Sequence, residues 1–393
     1  MKVVTALLNE AGRSDAAGVL TDVVLGGLAR SPDICVLFAS PQFTEELSRL
    51  APQIHERLGP RAFVGMSVEA VICGDREFED EPGLVLWAAT LPGSRVHAFH
   101  LTHDALQAMK HVEELREQVG CSLDDGPQFV LLGDPYSVNA TATLAAIERA
   151  YPGCEAIGGM ASAGSAAGEN TILFEGQALH SGLTGLALTG DVRFRMLVSQ
   201  GCRPIGQHLV VTRAERNVIQ GLGGRTPRDV VLDLLQSCPP RDRKLAESRG
   251  LFLGRVINEY QSHFGRGDFL IRNPIGFDES GSMAINDLIR PGQTVQFHVR
   301  DSESASDDLE SMLGDVRGAP FPGALLFTCN GRGRRLFAQP HHDARAITDA
   351  CATTPLAGAF CAGEIGPVGR RNYVHGFSAS VGLLQAHASG GDE

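Results

Sequence analysis

The sequence has no long apolar run and few aromatic residues. Hydrophobic residues make up 43% of its 393 residues, but no stretch reaches the roughly 18 consecutive apolar residues of a membrane-spanning helix. Aromatic residues make up only 6%, whereas glycine occurs 46 times. We therefore predict a protein without membrane insertion. The glycine content favours many tight turns and closely packed strands over a helical bundle.

An excess of positive charge is also missing. The chain has 34 lysines and arginines against 46 acidic residues, a formal net charge of −12. A nucleic acid needs a basic face, so this balance argues against nucleic-acid binding. No Gly-x-x-x-x-Gly-Lys-Ser/Thr segment occurs, which excludes a P-loop.

Paired cysteine motifs are absent as well. The nine cysteines form no CxxC, and their odd number argues against a disulfide framework. We expect free, buried thiols in a reducing compartment. Residues 1–30 do not resemble a signal peptide, because charged residues interrupt their apolar stretches. These features predict a cytoplasmic protein.

What the sequence does have is an internal repeat. In three places an apolar run is followed by a helical pattern and then by a glycine, at spacings of 29, 29 and 33 residues: Val36 to Gly65, Val130 to Gly159 and Leu325 to Gly358. Each unit closes with a further apolar run, at 84–89, 183–188 and 374–381. This pattern predicts a strand–helix–strand–strand unit made three times. The fold class is therefore mixed α/β, with mixed sheets.

A glycine-rich loop at residues 221–227 is the strongest boundary signal. Thr226 before Pro227 is typical of a helix start. We place a domain boundary near residue 220. The first domain, 1–220, would contain two repeats, at about 34–100 and 128–198, and the second, 221–386, would contain the third, at about 323–384.

Several motifs around and beyond this boundary occur together in a fixed order: residues 201–206 (GCRPIG), 269–276 (FLIRNPIG), 292–297 (GQTVQF) and 358–366 (GAFCAGEIG). In this order they resemble the FIST family, with its FIST N and FIST C domains, and the resemblance extends over about residues 25–385. It implies a sensory module of signal transduction that binds a small ligand, with amino acids as the suspected ligand class. The chain shows no kinase, cyclase or methyl-acceptor segment, so we expect a stand-alone intracellular sensor whose output passes through a protein partner.

Two charged positions are candidates for holding such a ligand. Glu364 stands in an apolar run, where an unpaired carboxylate would be costly, so it could receive a ligand ammonium or guanidinium. The alternatives are a structural ion pair or a solvent-facing position at a strand end. Arg272 and Asn273 lie in a predicted strand. Arginine binds carboxylates through two hydrogen bonds, although a salt bridge is the alternative role.

Two further segments complete the predicted site. Asn330 and Arg332 follow the strand at 325–329, and a loop after the carboxyl end of a strand is a common ligand position in α/β folds; exposed turn residues are the alternative. Asn372 and His375 enter the last strand, and His375 could face Glu364 across adjacent antiparallel strands. The predicted ligand-binding set is Arg272, Asn273, Asn330, Arg332, Glu364, Asn372 and His375.

Three other functions stay open at this point. Some FIST members bind haem as gas sensors, but the sequence nominates no haem-ligating histidine, and we predict no cofactor. An interaction scaffold is a second alternative. A thiol enzyme would use Cys329 or Cys361 with His341, His342 or His375 as base, but cysteines in apolar strands are usually inert. We therefore expect no enzymatic activity, and no metal site, because the adjacent His341 and His342 lack further ligands at suitable spacing.

Overall fold

The computed structural model describes residues 1–261, 263–351 and 354–387. The chain divides into two compact units. The first unit comprises Met1–Val198, Glu310–Val374 and the chain from Ser378 onward, and the second comprises Ser199–Leu309 and His375–Phe377. We describe each unit by itself.

The first repeat of the first unit alternates strands and helices before ending in a hairpin and a return strand. Its elements are β1 (Lys2–Leu8), α1 (Ala16–Gly27), β2 (Ile34–Ala39), α2 (Leu47–Leu58), β3 (Ala62–Ser67), β4 (Val71–Cys73), β5 (Arg76–Phe78) and β6 (Leu84–Thr90). Helix α2 shows why the sequence folds this way: it buries Leu47, Leu50 and Ile54 along one face. It ends at Gly59, whose φ of 52° suits glycine.

The second repeat follows the same plan. Its elements are β7 (Ser94–Leu101), α3 (His103–Ala108), α4 (Val112–Val119), β8 (Gln128–Gly133), α5 (Ala140–Ala150), β9 (Ala156–Met160), β10 (Ile172–Phe174), β11 (Gln177–Leu179) and β12 (Leu183–Gly190). The third repeat begins with β13 (Val192–Gln200), after which the chain enters the second unit.

The second unit is a separate antiparallel layer with its own core. Its elements are β14 (Cys202–Glu215), β15 (Val218–Leu222), α6 (Pro227–Ser237), α7 (Pro240–Arg249), β16 (Leu251–Val256), β17 (Phe269–Arg272), β18 (Pro274–Phe277), β19 (Met283–Ile285) and β20 (Thr294–Arg300). The strand order is β17-β16-β20-β14-β15-β19-β18. The predicted start of α6 is confirmed, since the Thr226 side chain accepts a hydrogen bond from the backbone N–H of Asp229.

The third repeat then resumes. Its elements are α8 (Ser302–Gly314), β21 (Ala324–Cys329), α9 (His342–Ala350), β22 (Leu356–Cys361), β23 (Glu364–Val368), β24 (Arg371–His375) and β25 (Ser378–Ala386). Most of the second unit is therefore inserted into the third repeat between β13 and β21, and it includes α8 as far as Leu309.

The repeats of the first unit exchange their hairpins in a cycle. Within the described residues the three sheets have the orders β1-β6-β2-β3-β10-β11, β7-β12-β8-β9-β23-β24 and β13-β25-β21-β22-β4-β5. Each sheet takes four strands from one repeat and two from another. In each, one parallel pair (β2 with β3, β8 with β9, β21 with β22) lies among antiparallel neighbours. The predicted mixed α/β fold is confirmed.

One glycine in each repeat allows the parallel strands to approach. A Cβ added to these glycines would lie 2.3, 1.8 and 2.3 Å from a carbonyl oxygen of the parallel partner strand: Gly65 from Leu37, Gly158 from Leu131 and Gly358 from Leu326. No real Cβ tolerates such a contact, so each position requires glycine. The equivalent residue in the second repeat is thus Gly158, one position before the Gly159 that the spacing suggests.

The predicted division at residue 220 does not coincide with the compact units. Residue 220 lies inside β15, which pairs with β14, so residues 199–220 belong with the second unit. The third repeat belongs with the first unit because its strand β22 pairs with β4 of the first repeat. Sequence order suggested two consecutive domains, whereas the exchanged hairpin pairs a strand of the first repeat with a strand of the third.

The cysteines and the helices bear on two further expectations from the sequence. All nine cysteines lie in the described residues and none forms a disulfide; four of them are buried: Cys35, Cys202, Cys351 and Cys361. Among the described residues, no helix combines the length and apolar character needed to cross a membrane.

Candidate functional site

A buried ion pair lies between the loop after β21 and the first turn of α9. Arg332 is fully buried, and its Nε and Nη2 donate to the Asp343 carboxylate at 2.7 and 2.8 Å. The Thr328 hydroxyl donates to the same carboxylate at 2.7 Å. Burial alone would raise the pKa of Asp343, but the Arg332 charge and hydrogen bonds hold it well below its usual range. Within the described structure, Arg332 Nη1 has no hydrogen-bond partner.

The hairpin of the first repeat contributes a second carboxyl to this cluster. Glu77 of β5 accepts hydrogen bonds from the backbone N–H groups of Asp343 and Ala344, both at 3.0 Å. It thereby satisfies free donors at the N-terminus of α9. Burial and the neighbouring Asp343 charge raise the pKa of Glu77 to about 7. Two carboxyl groups with opposite pKa shifts therefore lie together at the start of α9.

Glu364 is a third buried carboxyl, at the first position of β23. Its Oε2 accepts from the Ser378 backbone N–H at 3.1 Å and from the Ser378 hydroxyl at 2.7 Å. Burial raises its pKa to about 8, against the opposing effects of the Ser378 hydrogen bonds, the Arg332 charge and a hydrogen bond with Cys329. Its Oε1 has no partner in the described part of the chain. At neutral pH this side chain is therefore mostly a neutral acid that can donate or accept a hydrogen bond.

A polar cleft opens between residues 69–81 of the first repeat, which form the β4–β5 hairpin and its flanks, and the loop 330–335 of the third repeat. Its volume is about 230 Å³. The lining residues combine three carboxylates, two guanidinium groups and an amide: Glu69, Ala70, Glu79, Asp80, Asn330, Arg334, Arg335 and Phe360. Both signs of charge thus line one small space.

These charges pair with one another across the cleft. Arg335 Nη2 lies 2.5 Å from Glu69 Oε1, and Arg334 Nη1 lies 2.7 Å from Asp80 Oδ2. The backbone N–H of Arg334 donates to Glu79 at 2.9 Å. Asn330 Oδ1 is buried and has no hydrogen-bond partner among the described residues. Since buried polar atoms are almost always satisfied, this oxygen marks a position for a donor from outside.

Three of the seven predicted site residues belong to this region. Asn330 lines the cleft, and Arg332 and Glu364 interact electrostatically in the buried cluster. Asn372, in contrast, has its amide occupied: Oδ1 accepts from the Ala156 N–H and Nδ2 donates to the Cys154 carbonyl, both at 2.8 Å. Asn372 thus links the edge strand β24 to the start of β9 through side-chain hydrogen bonds.

The other three predicted residues lie in the second unit. Arg272 forms an ion pair with Asp287 at 2.6 Å, so its guanidinium has a structural partner there. Asn273 is exposed, and its backbone N–H donates to the Asn286 side chain at 2.7 Å. His375 ends β24 and is buried. Strands β23 and β24 are neighbours as expected, but His375 groups with the second unit and Glu364 with the first.

Sequence reasoning missed Glu77 and Asp343. An acidic residue near the start of a predicted helix was the available signal for Asp343, but it follows His341 and His342, which drew attention to metal instead. His341 Nδ1 accepts from the Glu77 backbone N–H at 3.0 Å, and the His342 ring stacks on Phe337 at 3.5 Å. In the described residues, no group of three or more potential ligands could hold a metal ion.

A larger cavity of about 710 Å³ lies in the second unit, against α6. Its walls are mainly apolar, and its rim has an ion pair between Arg225 and Asp233, both at least half exposed. The residues known to line it include no histidine, cysteine or methionine, so they offer no axial ligand for haem. None of its lining atoms is a buried polar group without a partner. On this ground the smaller cleft is the stronger candidate site.

Comparison with known proteins defines the family. A FIST N domain model matches residues 33–225, and a FIST C domain model matches residues 228–367. The chain belongs to the FIST family. FIST domains are sensory and signal-transduction modules. The family segments meet at the start of α6, close to the boundary predicted near residue 220, although the compact units do not.

Mycobacterial proteins are among the relatives of this FIST protein. Uncharacterized proteins of Mycobacterium tuberculosis and Mycobacterium bovis are each 36% identical, over 384 and 383 residues. Each match covers 94% of this chain and 95% or 94% of the relative. A crystal structure of cyanuric acid hydrolase from A. caulinodans matches 98% of this chain and 99% of its own at 8% identity. Its TM-score of 0.39 is too low to establish a shared fold.

Proposed function

We propose that this FIST protein is an intracellular sensor of a small zwitterionic metabolite, an amino acid. The ligand would bind in the cleft between the β4–β5 hairpin segment, residues 69–81, and the loop 330–335. The observation that carries the proposal is the pairing of both charge signs around a buried, unpartnered amide oxygen. Nine free thiols support a reducing compartment.

The chemistry of the cleft complements an amino acid at both ends. The ligand carboxylate would take the guanidinium of Arg335, which binds carboxylates through two parallel hydrogen bonds. The ligand ammonium would take Glu69 and the unpartnered Oδ1 of Asn330. The ligand thus replaces an existing Arg335–Glu69 pair with two new pairs, and no charge is left uncompensated.

The size of the cleft limits the ligand. Its volume of about 230 Å³ lies below the roughly 300–1,000 Å³ of pockets that hold drug-sized ligands. The cleft therefore favours a small ligand such as an amino acid.

The signal would pass from the cleft into the buried cluster. Asn330, which would contact the ligand, is two residues from Arg332, and Arg332 is fixed by Asp343 at the start of α9. A ligand that binds one arrangement of the loop 330–335 more tightly than another shifts the population between them by that difference in affinity. A partner protein or a change in oligomeric state would read the outcome.

Isothermal titration calorimetry with the twenty amino acids tests the proposal. We expect at least one to bind, and we expect its amine-only and carboxylate-only analogues to bind at least tenfold more weakly. Arg335→Gln should weaken binding at least tenfold. The matched control is Arg57→Gln, an exposed arginine that pairs with Asp22 outside the cleft. Equal binding by both variants, or no binding by any amino acid, would overturn the proposal.

We also propose that the protein has no thiol-dependent catalytic activity. Burial raises the pKa of six of the nine thiols: Cys35, Cys73, Cys121, Cys154, Cys351 and Cys361. Such thiols are poor nucleophiles at neutral pH.

A further inference from the structure

Two cysteines of the third repeat lie side by side at the ends of parallel strands. Cys329 is the last residue of β21, and Cys361, the last residue of β22, is its direct partner in the sheet. Neighbouring strands are about 4.8 Å apart, and opposite residues point to the same face. This spacing falls within the roughly 4.4–6.8 Å between Cα atoms that a disulfide requires.

The surroundings of the two thiols differ. Cys361 is fully buried, whereas Cys329 is partly exposed and accepts a hydrogen bond at its Sγ from the Gly331 N–H at 3.4 Å. The guanidinium groups of Arg332 and Arg335 both interact electrostatically with Cys329. Cys329 also takes part in a hydrogen bond with Glu364. One thiol is therefore partly accessible beside two guanidinium groups, and its neighbour is shielded.

We propose that Cys329 and Cys361 form a peroxide-oxidised pair, in which Cys329 reacts first and Cys361 resolves the product as a disulfide. The Cys329 thiol gives up its proton, its sulfur attacks one oxygen of hydrogen peroxide, and the O–O bond breaks. A sulfenic acid remains on Cys329, and the leaving hydroxide takes up the thiol proton to become water. The Cys361 sulfur then attacks the Cys329 sulfur, the S–O bond breaks, and a second water leaves with the Cys361 proton. Although burial makes the Cys361 thiol a weak nucleophile, its position directly opposite Cys329 offsets this by proximity. Two thiols lose two electrons in total, and one peroxide gains them.

The position of the pair connects it to ligand binding. Asn330 follows Cys329, and Phe360 precedes Cys361, and both residues line the polar cleft. Joining the two sulfur atoms fixes the ends of β21 and β22 relative to each other. Oxidation should therefore change the affinity of the cleft, a consequence that rests on the proposed function.

The oxidation itself is tested without any ligand. The reduced protein is treated with one to five equivalents of hydrogen peroxide, then analysed by intact mass and by peptide mapping. We expect the loss of two hydrogen atoms per chain, a peptide that links Cys329 to Cys361, and full reversal by dithiothreitol. A link between other cysteines, or oxidation spread evenly over all nine, would refute the pair.

Single variants separate the two roles. In Cys361→Ser the sulfenic acid should persist and be trapped by dimedone at Cys329, with yield at least tenfold above that of the parent protein. In Cys329→Ser both the dimedone adduct and the link should disappear. The control is Cys238→Ser, which removes another partly exposed thiol, at the end of α6, and should behave like the parent protein. If Cys329→Ser retains the parent oxidation rate, Cys329 is not the reacting thiol.

A final measurement compares amino-acid affinity before and after oxidation. A mapped link with an unchanged affinity would remove the connection to the cleft and leave the oxidised pair standing. If no amino acid binds at all, the mass measurement still decides the redox proposal independently.

Discussion

The hairpins of the three repeats occupy equivalent places, but the hairpin of the third repeat has an acidic residue where that of the first has an apolar one. Each of the three pairs with a strand of another repeat and places an apolar residue opposite the obligatory glycine: Ile72 opposite Gly358, Leu173 opposite Gly65 and Ile365 opposite Gly158. The residue just before is Val71 in the first repeat and Ile172 in the second, both buried, but Glu364 in the third. Two repeats show that an apolar side chain meets the needs of the fold here. A buried carboxyl at the third place is costly and points to a function.

The loops nearby differ in the same direction. In the first repeat, the loop after β2 closes through neutral hydrogen bonds, since the Ser40 hydroxyl accepts from the Gly83 N–H at 2.8 Å. In the third repeat, the loop after β21 buries Arg332 against Asp343. In the second repeat, the loop after β8 buries Asp134, which accepts a hydrogen bond from Asn170 Nδ2 at 3.0 Å. Of these three loops, the third buries both members of an ion pair, and it also adjoins the cysteine pair.

The largest test of this contrast is removal of the buried counter-charge. Asp343→Asn leaves the Arg332 guanidinium buried without its anion, and we expect a loss of about 3–5 kcal/mol of unfolding free energy in urea denaturation. The control is Asp22→Asn, which removes the partner of Arg57 in an exposed pair and should cost about 1 kcal/mol or less. Similar losses in the two variants would show that burial does not distinguish the third repeat.

A second test measures how stability depends on pH through Glu364, the carboxyl that stands where the other two repeats have an apolar residue. The pKa of Glu364 is about 8 in the folded protein, above the unfolded value of about 4.3. Because the folded state holds this proton more tightly, the group contributes stability fully below pH 4.3 and loses it as pH rises through 8. Glu364→Gln keeps a neutral side chain at every pH. It should match the parent near pH 4.5 and exceed it at pH 8.5, by on the order of 2–4 kcal/mol.

Denaturation midpoints of both proteins at pH 4.5, 6, 7 and 8.5 measure this difference. Glu77 affects the parent and the variant with the same sign, since its pKa of about 7 is also raised, so it cancels in the comparison. Glu56→Gln, an exposed glutamate on α2, provides the control and should show no trend. A difference that is constant with pH would contradict a buried neutral Glu364.

The smallest expected loss of stability comes from a feature that the repeats share, the glycine at which the two parallel strands approach each other. Gly65→Ala and Gly358→Ala each place a Cβ 2.3 Å from a backbone carbonyl oxygen, so both should cost about 1–3 kcal/mol. Gly26→Ala in α1 has nothing within 4 Å and should stabilise by about 0.5–1 kcal/mol. Thermal denaturation of the three variants measures these changes. A loss confined to one of the two strand glycines would mean that the repeats are not equivalent there.

Much of the fold was accessible from the sequence because it depends on local patterns. The three apolar runs with their glycines predicted the repeats, and Thr226 with Pro227 predicted the start of α6. The division at residue 220 did not predict the compact units, because the pairing of β22 with β4 joins distant segments and leaves no local signal.

The site was accessible only in part, for a related reason. Glu364 was conspicuous because charge in apolar surroundings needs compensation, and Arg332 because it follows the carboxyl end of a strand. Glu77 and Glu69 come from the first repeat, and their partners Asp343 and Arg335 come from the third. Single-sequence reasoning has no means of bringing these residues together. Asn372 and Arg272 looked similar in sequence but have structural partners.

The exchange of hairpins also constrains how the protein is made. The hairpin β4–β5 leaves the ribosome early, yet its partner strand is β22, and Val71 pairs with Ala359 across 288 residues. At about 5–20 residues per second, synthesis takes roughly 15–60 s to supply that partner. During this interval an apolar two-stranded ribbon has no sheet to join, and contacts of such sequence separation form slowly. The nascent chain must therefore be protected from aggregation, and the first unit can complete this sheet only after β22 has been synthesised.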